Sequence, residues 1–514
     1  MDELKEKTEN GKKTKEAERR TARTAPPVRF SVLGSASALY ALFYTFCLYK
    51  NASGITYPFF VAGTLYYFFF CMKSCRVPSG EGKRFLQGKK ERAQTVFYVG
   101  SLLLLGLSVC LTADWKILWM TKLGIFLLIL TQALRMYFDT AGWSFTDWLC
   151  RAGRSLAELC SHMNTPFADA GDYFSDPEKQ GKYGAGKYVL LGLAAAVPLL
   201  LLVLALLLSA DAVFERMVMK LIGELRLTDI ALICLLAFLV YVVSYSFIRG
   251  LVSDVWTAPK RREKRGEPVA AITFTLLLAL VYVVFCAVQI FYLFWGRMEL
   301  PAGLTWAGYA RQGFFQLLFV CLINLILVLA CLAIFRESRV LKGILTAISL
   351  MTYILIASSA YRMLLYIQNY YLTFLRVLVL WALLVIAVVF AGVIVSIWKE
   401  AFPLFSWCTA GVTVLYLILA FARPDYWVAA YDASHVMKEA EAGEGYDDYG
   451  YLGGLSADAA PALVKYGSDT KWYTYPMQDY RARILNRSEK MSLRSFNLSL
   501  WQAERSLEAG SQSG

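Results

Sequence analysis

Long apolar runs alternate with short polar or charged segments along most of this chain. Eleven runs approach or exceed the roughly 20 residues that cross a bilayer: 30–49, 55–72, 95–112, 117–137, 188–208, 230–248, 271–294, 314–335, 344–361, 374–397 and 404–421. They are continuous, without period-two alternation, and so read as helices, not barrel strands. In lipid only helices or closed barrels satisfy the backbone. The predicted fold class is all-α: a polytopic transmembrane helix bundle of about eleven helices, ten to twelve, with a small helical extramembrane C-terminal tail.

The segments between the runs set the predicted domains. Residues 1–29 are polar and basic and end in Ala25-Pro26-Pro27. They are too long and too acidic for the n-region of a signal peptide and read as a disordered cytoplasmic tail. Residues 30–137 carry the first four helices, and 138–187 form a long loop. Within that loop Phe145, Trp148, Leu149, Ala152, Leu156, Leu159 and Met163 recur at helical steps, with Asp147, Arg151, Arg154 and Glu158 off that stripe. This is an amphipathic helix, lying on the membrane surface or packed on neighbouring loops. Residues 188–421 hold the seven-helix core, and 422–514 a tail with helices expected at 427–440, 455–466 and 492–509.

Composition sharpens the picture. The chain has 514 residues, is 58% hydrophobic and only 18% charged, and has a net charge of +13. With the N-terminus inside, the inner segments collect 32 of the 52 Lys and Arg residues, as cytoplasmic loops do. Eleven crossings then place 422–514 outside, a segment with ten basic and thirteen acidic residues. The expected location is the cell membrane, multi-pass, with a cytoplasmic N-terminus and an extracytoplasmic C-terminus. The positive charge then reflects basic loops facing an anionic leaflet, and nucleic acid is not an expected partner. Expected partners are the lipid bilayer and other membrane or envelope proteins. None of the eleven cysteines falls in a predicted outer loop, which argues against a disulfide framework. Their spacings match no standard zinc pattern.

No HExxH, GxSxG or phosphate-binding glycine loop is present, and the chain has two histidines, His162 and His435. No cofactor, metal or catalytic residue is expected from these patterns. Charges near helix ends carry more information, because they are costly in a membrane. A predicted outer-face group comprises Asp211, Glu215, Tyr309, Arg311, Arg362, Arg376, Asp425 and Asp432. Arg311 and Arg376 sit near predicted helix N-termini and Asp211 and Glu215 after a C-terminus, each against its own helix dipole. Three readings stay open: an ion-pair network, an anion site, or interface anchors whose side chains reach into the headgroups.

The pieces PLLLLVLALLLSADAVFERM (198–217), VYVVFCAVQIFYLFWG (281–296), GYARQGFFQLL (308–318), SSAYRMLLY (358–366) and LTFLRV (372–377) resemble a bacterial membrane-protein family catalogued as domain of unknown function 4173, with 4153 as a near relative. In the tail, YLGGLSADAAPAL (451–463) and RSFNLS (494–499) resemble its C-terminal signature, so the likeness runs from about residue 190 to the end. It implies a multi-pass cell-membrane protein with no assigned activity. Where the family shows an Arg-Tyr-Asn run after the last span, this chain reads AAYD, ending at Asp432. The expected function is a non-enzymatic scaffold, sensor or envelope-associated component. A transporter or permease for a small anion or lipid is the alternative, and an intramembrane enzyme the second.

Overall fold

The computed structural model describes residues 29–51, 53–74, 88–138, 143–175, isolated positions between 199 and 214, 227–253, 264, 266–291, 306–441, 449–466 and 475–512. The expected N-terminal tail, most of the fifth run and the segment leading into it lie outside the described residues. Among those described, every regular element is helical, and the chain divides into two compact units.

The first unit comprises Met1–Gly106, Gly124–Thr140 and Thr146–Thr257. It contains α1 (Phe30–Leu48), α2 (Thr56–Ser74), most of α3 (Lys89–Leu111) and α4 (Trp115–Tyr137), α5 (Phe145–Ser161), α6 (Thr165–Ser175) and α7 (Leu227–Ser253). Helix α1 packs on α2, α6 and α7. Its small polar positions face partners: Ser37 bonds the Tyr67 hydroxyl at 2.9 Å, which donates to the Ser244 carbonyl at 3.2 Å. Helix α5 forms where the apolar steps predict it, with one correction. Arg151, read as polar-face, is fully buried with its guanidinium 3.8 Å from the Phe138 ring centre. Cation–π contact and Glu158, 3.9 Å away, offset its desolvation. Leu149, Leu156 and Met163 remain exposed.

The second unit comprises Leu107–Leu123, Ala141–Phe145 and Ala258–Gly514. Its long helices are α8 (Pro268–Gln289), α9 (Trp306–Ile334), α10 (Arg339–Tyr370), α11 (Phe374–Trp398) and α12 (Leu404–Phe421). Helix α10 is central, packing on α8, α9 and α11, while α12 packs on α11. A 32-residue helix is about 48 Å long, so α10 outreaches a hydrocarbon core of about 30 Å. Nine helices among the described residues, α1, α3, α4 and α7 to α12, are long and apolar enough to cross a membrane, consistent with a multi-pass membrane protein. Helix α2, the second predicted run, is not among them; tyrosines, threonines and Lys73 dilute its apolar surface.

Association of helices in lipid depends on close packing and interhelical hydrogen bonds, and both occur here. A Cβ at Gly392 would lie 2.3 Å from Trp407, whose indole donates to the Val388 carbonyl at 2.9 Å. Trp381 donates to the Leu415 carbonyl at 2.9 Å, so each of α11 and α12 sends a tryptophan onto the other's backbone. Tyr282, Asn324 and Thr352 link α8, α9 and α10: the tyrosine donates to Asn324 at 2.6 Å, whose amide donates to Thr352 at 2.9 Å.

After α12 the chain builds a helical cap from α13 (Pro424–Glu441), α14 (Tyr449–Gly453), a 3₁₀ turn (Ala457–Ala459), α15 (Ala460–Tyr466), α16 (Tyr475–Glu489) and α17 (Leu498–Gln512). Its core is rich in alanine, with Ala429, Ala433, Ala459, Ala460, Ala462 and Ala503 closing around Leu463, Met477 and Tyr480. Helix α16 was not anticipated from the sequence, where polar residues dominate its surface.

Gly392→Val is expected to force α11 and α12 apart, costing about 1–3 kcal/mol. The check is the thermal midpoint of the detergent-solubilised chain, where an unchanged value would contradict the close approach.

Candidate functional site

Among the described residues of the second unit, buried charges gather where the cap meets the helix ends. Three chain pieces converge there: the α3–α4 turn Thr112–Asp114, the α12–α13 junction at Arg423, and the cap turn carrying Asp458. Asp458 is 1% exposed. Its carboxylate accepts from the hydroxyls of Thr112 and Ser499 and, at 3.2 Å, from the backbone N–H of Ala113. The Arg423 guanidinium stands 3.9 Å away. Burial pushes the Asp458 carboxyl above its usual range, against the opposing pull of the two hydroxyls and the arginine. Asn497 fastens the same turn, donating to the Thr112 carbonyl at 2.9 Å.

Arg423 has φ of 51° and breaks the chain between α12 and α13. Its guanidinium reaches back to the Leu111 carbonyl at 2.8 and 3.2 Å, satisfying the C-terminal end of α3, and donates to Gln502 at 2.8 Å. Thus one side chain ties a helix end, the junction and α17 together.

Beside it lies a second cluster. Asp114 and Asp425 are both fully buried and share Lys116, whose Nζ is 3.8 Å from one and 3.4 Å from the other. Lys116 also sits over the Phe374 ring at 3.9 Å. Asp425, in the first turn of α13, accepts from the Ser456 N–H at 3.0 Å. Asp114 accepts from the Lys116 N–H at 3.0 Å through one oxygen, while the other has no hydrogen-bond partner. Burial first, and then the Asp425 charge, push the Asp114 carboxyl up to about 7.

The predicted charge group distributes as follows. Asp211 belongs to the first unit and is exposed; Glu215 and the side chains of Tyr309 and Arg311 lie outside the described residues. Helix α9 begins at Trp306, so Arg311 is not in its first turn. Arg362, expected at a helix end, is buried within α10, which continues to Tyr370; it donates to Gln289 at 3.3 Å, as Ser358 does at 2.6 Å. Arg376, Asp425 and Asp432 gather around the α10–α11 turn and Tyr451. Arg376 donates to the carbonyls of Tyr370 and Tyr371 and covers the Tyr366 ring at 4.2 Å. It therefore caps the C-terminus of α10, where a cation is favoured. Asp432 accepts from the Leu372 N–H at 2.8 Å, and the Tyr451 hydroxyl accepts from the Phe374 N–H at 3.0 Å. Burial, with Asp425 and Asp432 nearby, pushes the Tyr451 hydroxyl up to about 12.

Sequence reasoning missed Asp114, Lys116, Arg423 and Asp458 as a set. The signal was there in part: ADWK interrupts two apolar runs, and Asp458, Asn497 and Ser499 lie inside the two tail motifs quoted for the family resemblance. Among the described residues no three His, Cys, Asp or Glu side chains gather as metal ligands.

Two outcomes test this site. Asp458→Ala strips Thr112, Ser499 and Arg423 of their shared acceptor and should cost about 3 kcal/mol, read as a lowered unfolding midpoint. Asp114 carries a pH dependence of defined sign. Its raised pKa means the folded chain keeps a proton the unfolded chain has lost, so stability falls as pH rises from about 4 to about 7. The slope is at most about 1.4 kcal/mol per pH unit, and Asp114→Asn should remove it. Parallel midpoint-versus-pH curves for both proteins would refute the assignment.

Comparison with known proteins adds one match. The family model described as Domain of unknown function (DUF4153) matches residues 99–466, well over half of the chain. The match starts inside α3, earlier than the resemblance at about residue 190, and stops before RSFNLS. It carries the number of the near relative, not 4173. No curated protein and no solved structure matches.

Proposed function

The chain belongs to the DUF4153 family, and from that premise we propose that it is a non-enzymatic membrane scaffold or sensor whose C-terminal cap is its working part. The observation that carries this reading is the Asp458 knot. A buried carboxylate served by Thr112, Ala113, Ser499 and Arg423 holds the cap to the ends of α3 and α12. Such an arrangement suits a folded platform presented at the membrane surface. The 4173 label belongs to this proposal as well, resting on the short motifs quoted above.

The orientation is part of the proposal. The bias of 32 of 52 basic residues toward one set of segments supports a cytoplasmic N-terminus and an extracytoplasmic cap in the cell membrane. Partners would be lipid and other membrane or envelope proteins. A permease is the second reading, favoured by the buried Tyr282–Asn324–Thr352 chain and by Arg362 with Gln289 and Ser358, since polar groups within spans mark transport paths in many membrane proteins.

Reporter fusions at residue 514 test the orientation: a reporter active only outside the cytoplasm is expected to function there, and a cytoplasmic signal overturns the external platform. Copurification from native membranes should recover defined partners with the intact chain and lose them with Asp458→Ala. Unchanged recovery removes the cap from the reading.

A further inference from the structure

We propose that the depression beside Arg423 is a binding site for a phosphate-bearing anionic headgroup at the membrane edge. It is an open hollow of about 380 Å³ lined by Arg423, Tyr426, Trp501, Gln502, Arg505 and Ser506, among others. The inference concerns a ligand, and it holds whether the protein is a scaffold or a permease.

The donors suit an oxyanion. Arg423 spends three N–H groups on the Leu111 carbonyl and Gln502, and a guanidinium has five. Two remain. Arg505 sits over the Trp501 ring, its guanidinium carbon 4.0 Å from the ring centre, and no carboxylate pairs with it among the described residues. A guanidinium held over an aromatic ring is restrained in position, and its N–H fork can bind an oxyanion bidentately. On the same helix Glu504 accepts from Ser488 at 2.6 Å. The charged residues that line the depression are both arginines, and Asp458 stands 3.9 Å from the first of them.

Location selects the source. Arg423 is two residues beyond Phe421, the last residue of the span α12. A span ends at the headgroup layer, where tryptophan and tyrosine concentrate. Tyr426, Trp501 and the exposed Trp427 provide that belt here. A phosphodiester at this depth meets both arginines without leaving the bilayer.

The test uses the full chain in nanodiscs of phosphatidylglycerol or phosphatidylcholine, with retained lipid counted by native mass spectrometry. Wild type should retain phosphatidylglycerol over phosphatidylcholine by about fivefold, the scale of one basic residue near an anionic surface. Arg505→Gln, on an exposed side chain, should bring the ratio near parity with the unfolding midpoint unchanged. Arg487→Gln, the same charge removed from α16, should leave the ratio alone. Equal loss in both variants, or no preference in wild type, overturns the site. If inorganic phosphate instead stabilises wild type but not Arg505→Gln, the phosphate chemistry stands and its source is soluble.

Discussion

A buried carboxylate cannot be left alone. Its desolvation must be met by donors that are themselves fixed, and in the second unit that requirement organises the junction between the spans and the cap. Asp458 draws a threonine and a backbone amide from the α3–α4 turn, a serine from α17 and an arginine from the α12–α13 junction. The α3–α4 turn lies hundreds of residues from Asp458 in sequence, while α17 and the α12–α13 junction lie within a few tens. Apolar burial alone would let the alanine-rich cap slide over its support, because small side chains give area without shape. The knot fixes one register.

The spans follow a different logic. Their outward residues meet lipid and are interchangeable, as the exposed Leu277, Val284, Phe319 and Ile326 illustrate. What distinguishes one helix pair from another is the rare polar or small position. Gly392 and the two tryptophans do this between α11 and α12, and Asn324 does it among α8, α9 and α10. Asn324 satisfies an acceptor and a donor within the bundle, so a rotation of any of the three helices leaves one of them unpaired.

This division explains what the sequence revealed. Apolar runs are a local property, so helices and their approximate limits were legible from hydropathy. Helix ends were less so: α10 runs nine residues beyond its apolar run at one end, where Met363 and Ile367 still pack into the core. The dipole argument therefore misplaced Arg311 relative to its helix start, and Arg362, expected near a helix end, lies well inside α10. For Arg376 it identified the terminus, but the side chain serves the preceding helix, not its own. The knot was illegible for a stronger reason. Asp458 looks like a solvated acid at the start of a short helix, and Asp114 like a polar turn residue; nothing local says that both are buried. Only the tail motifs hinted that these segments are constrained.

The same junction stores strain. Among the described residues, Arg423 and Tyr371 are the second unit's non-glycine positions of positive φ, at 51° and 62°. Tyr371 combines that φ with ψ of −177°, a region almost reserved for glycine. Each such residue costs about 1–3 kcal/mol and persists where its surroundings over-determine it. At Arg423 the surroundings are Leu111, Gln502 and Asp458. At Tyr371 they are Arg376 on its carbonyl, Asp432 on the next N–H and the His435 ring 6.4 Å away. In both cases cap residues supply part of the restraint. Undocking the cap would remove those contacts and let both turns relax, so the conformation of the α10–α11 turn is coupled to cap docking through the backbone itself.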